Sequence, residues 1–194
     1  MKVERRNANK IEITKAFVVD GLARYDKKYP AGSKVHEDEQ RLKKWLAEQS
    51  GPKFLDKGHF VDLACWKSER PRRRYKQNTD AFVREVTELA FQASDDCLRM
   101  HILTALDGVG MPVASALLHF AFPDRYPILD FHVVNTLARA GLWRGSEAPY
   151  FTPAEWLKFT QLMRRLARRL GVQMRDLDKA LWAFDEKKGD ALEA

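Results

Sequence analysis

Leu103-Thr-Ala-Leu-Asp-Gly-Val-Gly-Met-Pro-Val-Ala-Ser-Ala-Leu-Leu118 decides how this chain is read. Apolar Leu103 and Leu106 precede Gly108-Val109-Gly110, and a small Ala114 followed by Leu117 and Leu118 comes after. Two helices meeting at a glycine turn would bring these apolar residues together. The glycines permit the tight turn and the close approach of a ligand. The second helix would start with unpaired N–H groups, which hold phosphate without help from side chains. Twenty residues beyond Gly110, in Tyr126-Pro-Ile-Leu-Asp-Phe-His-Val133, stands a carboxylate, Asp130. A phosphate-holding turn and a carboxylate at that distance suggest work on a nucleic-acid backbone.

Working outward from this stretch, the periodicity is helical almost throughout. Ile13, Phe17, Val18, Leu22 and Tyr25 form one apolar face, which Tyr29-Pro30-Ala31-Gly32 ends. Val35, Leu42, Trp45 and Leu46 mark a second helix, and Phe60, Leu63, Ala64 and Trp66 a third. Asn78 or Thr79 caps a fourth, and Ser94-Asp95-Asp96 opens the one that runs into the glycine turn. Val133, Val134, Leu137 and Ala138 follow Asp130 as a short helix. Thr152-Pro153-Ala154-Glu155 is a capping box with proline at the first helical position. The final helix holds Leu177, Leu181 and Trp182, and the charged tail from about Asp185 is expected to fray. No alternating strand pattern of useful length occurs, so the expected class is all-α, one helical globule over residues 1–194.

The bulk properties narrow the partners. The chain has 194 residues and a formal net charge of +7, which favours polyanions over acidic small molecules. Two cysteines, Cys65 and Cys97, are too few for a four-Cys zinc or iron–sulfur site and read as buried free thiols. No apolar run approaches the ~18 residues of a membrane span. Met1-Lys-Val-Glu-Arg-Arg6 leads into no apolar signal segment, so the expectation is a soluble, cytoplasmic protein.

The stretch around Gly108–Gly110 resembles the helix-hairpin-helix motif of DNA-binding proteins. With its sequel it is similar to the helix-hairpin-helix DNA glycosylase superfamily, the endonuclease III-like fold. In that superfamily an apolar helix leads to a (V/L)-D-x-(H/N)-V segment holding the catalytic aspartate. Leu129-Asp130-Phe131-His132-Val133 matches it, and Pro127-Ile-Leu-Asp130 looks closest to the adenine-DNA glycosylase branch. The match covers residues 98–140, with the motif at about 95–122 and the aspartate segment at 126–140. The resemblance implies two helical lobes around a cleft, binding to double-stranded DNA, and base excision repair through Asp130. It also implies phosphate contact by Gly108, Val109, Gly110 and Met111, and a monovalent cation on the carbonyls of Thr104, Leu106 and Val109.

The departures matter as much. Bifunctional members carry a lysine nucleophile where this chain has Pro112, so a Schiff-base lyase has no lysine at its expected place. The expected enzyme is therefore a monofunctional glycosylase. The four-Cys iron–sulfur motif of part of the superfamily is absent. The only obvious base-flipping segment, Trp66-Lys67-Ser68, ends about 40 residues before Gly108, which is short for the superfamily.

Several residues carry two readings. Asp130 immediately precedes a helix, where aspartate is a good N-cap, and the two roles are compatible. Trp66, Lys67 and Ser68 could form a pocket wall, as could His132, though Trp66 also fits a core position and His132 a structural hydrogen bond. Arg70, Arg72, Arg73, Arg74 and Lys76 fit salt-sensitive phosphate contact or a solvated loop. Arg164, Arg165, Arg168 and Arg169 read as an outer helix face. The five histidines show no metal-ligand spacing. A non-catalytic nucleic-acid-binding module, or a protein-interaction domain on the same scaffold, is the alternative to an enzyme.

Overall fold

Helix starts in this protein fall where the sequence supplies a capping side chain. In the computed structural model, which describes residues 11–148 and 150–189, Thr14 opens α1 (Lys15–Lys28) and Ser33 opens α2 (Lys34–Ala47). Asp56 caps α3 (Lys57–Lys67), Thr79 caps α5 (Asp80–Gln92) and Asp95 caps α6 (Asp96–Leu103). Asp130 caps α8 (Phe131–Arg139), and Thr152 caps α9 (Pro153–Leu170) through a reciprocated capping box with Glu155. Each such cap contributes about 1 kcal/mol. The short α4 (Arg72–Tyr75), α7 (Met111–Ala121) and α10 (Met174–Gly189) complete ten helices, and the described residues contain no strand. The all-α expectation therefore holds. The opening run Met1–Arg6 and the last five residues lie outside the described stretch.

The core is organised around α7. Every residue from Val113 to Ala121 is buried, so this helix can only be central. Helices α2, α3 and α6 pack on it, while α1, α8 and α9 pack on α10. Contacts between α6 and α9 join the two groups. The buried apolar residues form one continuous cluster, from Ile13 to Leu181.

His119 is the exception inside α7. Its Nδ1 donates to the Tyr126 carbonyl at 2.8 Å, and burial, reinforced by the charge of Arg175, pushes its pKa down to about 3. The ring is thus neutral at physiological pH.

Three expectations need correction. The Ser68–Asn78 loop is not wholly irregular, because it contains α4. Burying Tyr75 forces that turn: its ring meets the edge of Phe60 and its hydroxyl donates to the Ser68 carbonyl at 3.2 Å. The chain does not fray at Asp185 either. That carboxylate accepts from His132 at 3.0 Å and Asn135 at 3.2 Å, and pairs with Arg139 at 3.5 Å. Finally, Cys65 and Cys97 are half-buried rather than buried, although both are free thiols.

Of the arginines on α9, Arg165, Arg168 and Arg169 do face solvent. Arg164 turns back to donate to the Arg125 carbonyl at 2.6 Å. No helix among the described residues is long and apolar enough to cross a membrane.

The seat of α1 on α10 depends on Gly21. A Cβ there would lie 2.7 Å from the Cα of Ala180 and 2.9 Å from its carbonyl oxygen, and backbone cannot step aside. Gly21→Ala should gain about 1 kcal/mol of helix propensity yet lose more to overpacking, about 1–3 kcal/mol. A lowered urea midpoint checks this, and an unchanged or raised midpoint contradicts it.

Candidate functional site

Where the two groups of helices meet, a partly open cavity of about 180 Å³ is enclosed. That is roughly six times the ~30 Å³ share of a water in the liquid. Tyr25 from α1, Tyr29 just after it, Trp66 from α3 and Trp182 from α10 give it aromatic walls. Lys67, Asp130, Arg175 and Asp178 supply its polar groups. A small cavity with aromatic walls and as many converging charges suits a flat heterocycle with polar edges.

Asp130 sits at the lip with its side chain one-fifth exposed. One oxygen caps α8 by accepting the His132 N–H at 3.0 Å, and the other accepts from the Lys67 ammonium. Lys67 is the last residue of α3, where the carbonyl dipoles favour a cation. Both oxygens of Asp130 are therefore engaged. Its charge is felt across the cavity at Tyr29, whose pKa is raised first by burial and then by Asp130.

Behind the cavity lies a buried ion cluster. Arg175 donates to both oxygens of Glu39, at 2.9 and 2.8 Å, to Asp178 at 2.5 Å and to the Tyr25 hydroxyl at 3.2 Å. Its guanidinium also lies 5.3 Å from the Trp66 ring centroid. Burial pulls the Glu39 carboxyl up, but hydrogen bonds from Arg175 and Lys43 and their charges hold it far below the carboxylate range. Asp178 goes the other way: burial, helped by the nearby Asp130 charge and opposed by Arg175 and Lys67, raises it to about 6. Its Oδ2 is bonded to Arg175, whereas its buried Oδ1 has no partner among the described residues. An unsatisfied buried oxygen costs about 1–3 kcal/mol.

The glycine turn and this cavity are tied together by the basic segment. Ser68 follows Lys67 and accepts the Tyr75 hydroxyl, and the Tyr75 ring lies against Gly108. Asn78 clamps the turn from the side. Its amide donates to the Asp107 carbonyl at 3.1 Å and its carbonyl accepts the Asp107 N–H at 2.8 Å. Arg70, Arg72, Arg73 and Arg74 thus lie, all exposed, on the stretch between turn and cavity. Arg72 pairs with Glu69 at 2.9 Å and Arg74 with Asp107 at 3.9 Å, while Arg70 and Arg73 form no ion pair among the described residues.

The two glycines do different work. Gly108 has φ +85°, and a Cβ there would meet the Tyr75 ring at 2.8 Å, so packing alone demands glycine. Gly110 has φ −99° and a Cβ would meet nothing closer than Pro112 Cδ at 3.9 Å. Gly110 precedes α7, which begins with no side-chain cap, unlike the seven helices named above. Its first N–H groups are left for a ligand or water, less the one missing at Pro112. Val109 is buried and Met111 half-buried, so contact from that stretch would come through backbone.

The structure brings Trp66, Lys67 and Asp130 to one cavity. Ser68 and His132 are not among its lining. His132 stands behind Trp182, ring centroids 5.4 Å apart, held by Asp185. Trp66 is a fixed wall, its Nε1 donating to the Val35 carbonyl at 3.1 Å and its ring against Phe120. The sequence reading missed Tyr29, Arg175 and Asp178 as site residues, and took Tyr25 and Trp182 for core. A signal was present, since 175, 178 and 182 share a helix face one step round from the apolar 174, 177 and 181. Among the described residues no group of three or more His, Cys, Asp and Glu is placed to hold a metal ion.

Arg175→Met would strand Asp178 as a buried carboxylate and leave Glu39 with Lys43 alone. The expected loss is about 3–5 kcal/mol at neutral pH. Asp178 is raised already, and without the guanidinium that lowers it its folded-state pKa lies further above its unfolded one, so the folded state binds an extra proton and the deficit should shrink from pH 7 to pH 5. Urea unfolding at the two pH values reads both effects. No protein family, curated protein or solved structure matches the chain in the three comparisons made.

Proposed function

We propose that this chain is a double-stranded-DNA-binding protein of the helix-hairpin-helix glycosylase type, and that its cavity takes a base turned out of the duplex. The observation that carries the reading is convergence. Asp130, the residue to which the resemblance assigns chemistry, lies in an aromatic-walled cavity with Lys67, and a basic segment runs from that cavity to the glycine turn. The uncapped start of α7 would hold a phosphate, and the exposed arginines would add salt-sensitive affinity. Extracting a base needs a stacking surface, which Tyr29, Trp66 and Trp182 offer.

In this reading Asp130 stabilises the positive charge that grows on the sugar as the glycosidic bond breaks, and water completes the reaction. An amine does reach Asp130, from α3 rather than from the position after the hairpin, and it pairs with that carboxylate. The lysine place of the lyase branch is held by Pro112, so hydrolysis fits the resemblance better than lyase chemistry. The carbonyls proposed for a monovalent cation fit one only in part, because that of Leu106 already accepts the Val109 N–H at 3.0 Å. No step here runs through such an ion.

One observation favours the non-catalytic reading instead. Each oxygen of Asp130 already accepts a hydrogen bond, from the cap or from Lys67, so part of its charge is spent before a sugar arrives.

Two experiments separate these readings. Duplexes carrying deaminated, alkylated, oxidised or mispaired bases are assayed for base release by wild type and by Asp130→Asn, which keeps the cap. Release should fall by about a hundredfold or more in the variant. Release from no duplex leaves the binding-module reading, and a borohydride-trapped adduct lost in Lys67→Met moves the reaction to the lyase class. Second, binding to an undamaged duplex should weaken steeply with salt, and Gly110→Ala should weaken it several-fold with little change in melting temperature, because the Cβ meets only the ligand. No binding even at low salt would leave a protein-interaction domain.

A further inference from the structure

A row of aromatic rings leads out of the cavity to the surface. Tyr29 and Trp182 line the cavity with ring centroids 5.7 Å apart. His132 stands behind Trp182 at 5.4 Å, and the Phe131 ring lies beyond His132 at 4.6 Å. Each step falls within the range at which aromatic rings pack. His132 is held in place by Asp185, which Asn135 also grips. Phe131 ends the row and is 50% exposed.

A lone apolar side chain on a surface needs no explanation, but Phe131 is not alone. It continues the cavity wall outward, and it follows Asp130, which lines the cavity, directly in the chain. The fold makes no demand for a ring at this position. The Asp130 carboxylate already starts α8, and Val133, Val134, Thr136 and Leu137 supply its buried face. Half in water, the Phe131 ring gives folding only part of what full burial would.

We propose that Phe131 stacks on the base next to the one turned out, on the same strand, and so makes the protein prefer a purine at that flank. This rests on the glycosylase reading above, in which Asp130 faces the sugar of the extruded nucleotide. One chain step is about 3.8 Å between Cα atoms, and one nucleotide step along a stacked strand is about 3.4 Å. A ring one residue beyond Asp130 therefore stands at the level of a neighbouring nucleotide. That neighbour has lost a stacking partner, because the position beside it has emptied. An exposed phenyl face replaces the lost contact. Stacking reads no hydrogen-bond pattern and follows stacking strength, and the two fused rings of a purine cover a phenyl more fully than one ring does. The other aromatic groups at the cavity are committed elsewhere. Trp66 is fixed by its bond to the Val35 carbonyl, and Trp182 is enclosed between Tyr29 and His132. With a single ring beside the lip, the preference belongs to one flank only.

Binding to duplexes that hold a tetrahydrofuran abasic analogue tests this without any base release, because the base is already missing. Each of the four bases is placed in turn as the 5′ and as the 3′ neighbour of the analogue, paired with its complement. Wild type should bind a purine-flanked duplex about three- to tenfold more tightly than a pyrimidine-flanked one on one side, and be indifferent on the other. Phe131→Ala should weaken binding to the purine-flanked duplex about fivefold to a hundredfold and erase the preference. Its melting temperature should stay close to wild type, since the ring is half exposed. Phe131→Tyr keeps the ring and should keep the preference. A flat flank scan in wild type, a preference that survives Phe131→Ala, or equal weakening on every flank would overturn the proposal while leaving the glycosylase reading intact. Binding to none of the duplexes overturns both.

Discussion

Arg175 is the interaction on which the architecture around the cavity hangs. One guanidinium bonds Tyr25 on α1, Glu39 on α2 and Asp178 on its own α10, and lies over the Trp66 ring of α3. These helices belong to both packed groups, so the group that brings them together also spaces the cavity walls. A buried guanidinium is tolerated because its planar fork meets two carboxylates at once. The carboxylates are tolerated for the same reason. Apolar packing alone would close α1, α2 and α10 on one another with fewer demands, and would leave no charged floor.

The same economy shows at the turn. The Gly108 turn, the Tyr75 ring and the Asn78 amide form one interlocked unit, so the basic segment and the start of α7 are held in a fixed relation. Because Lys67 and Ser68 lead into that segment, the cavity lip and the turn share a single rigid connection. A ligand spanning both would meet a preformed surface and lose little to ordering it.

Four helix starts were legible in the sequence because their causes are local: Thr79, Asp95, Asp130 and Thr152 each act within three residues, and Thr14, Ser33 and Asp56, which the sequence reading did not pick out, act the same way. Asp130 and Trp66-Lys67 were legible as candidates too, but not as neighbours, since 63 residues separate Lys67 from Asp130. Arg175 and Asp178 were legible only as a helix face shared with Trp182, not as a site. On a helix pattern they read as solvated charges, and only partners from α1, α2 and α3 turn them into a buried cluster. Asp185 misled for the same reason: a charged tail looks loose until His132, Asn135 and Arg139 are seen to grip it.

The cap formed by Asp130 bears on what the presence of a residue can mean. A side chain that starts a helix is retained by folding alone, whatever else the protein has given up. Asp130 would survive in a descendant that had abandoned all chemistry, and so it is a poor witness to chemistry. Asp178 is the opposite. Its unpartnered buried oxygen costs stability even while its other oxygen helps to neutralise Arg175.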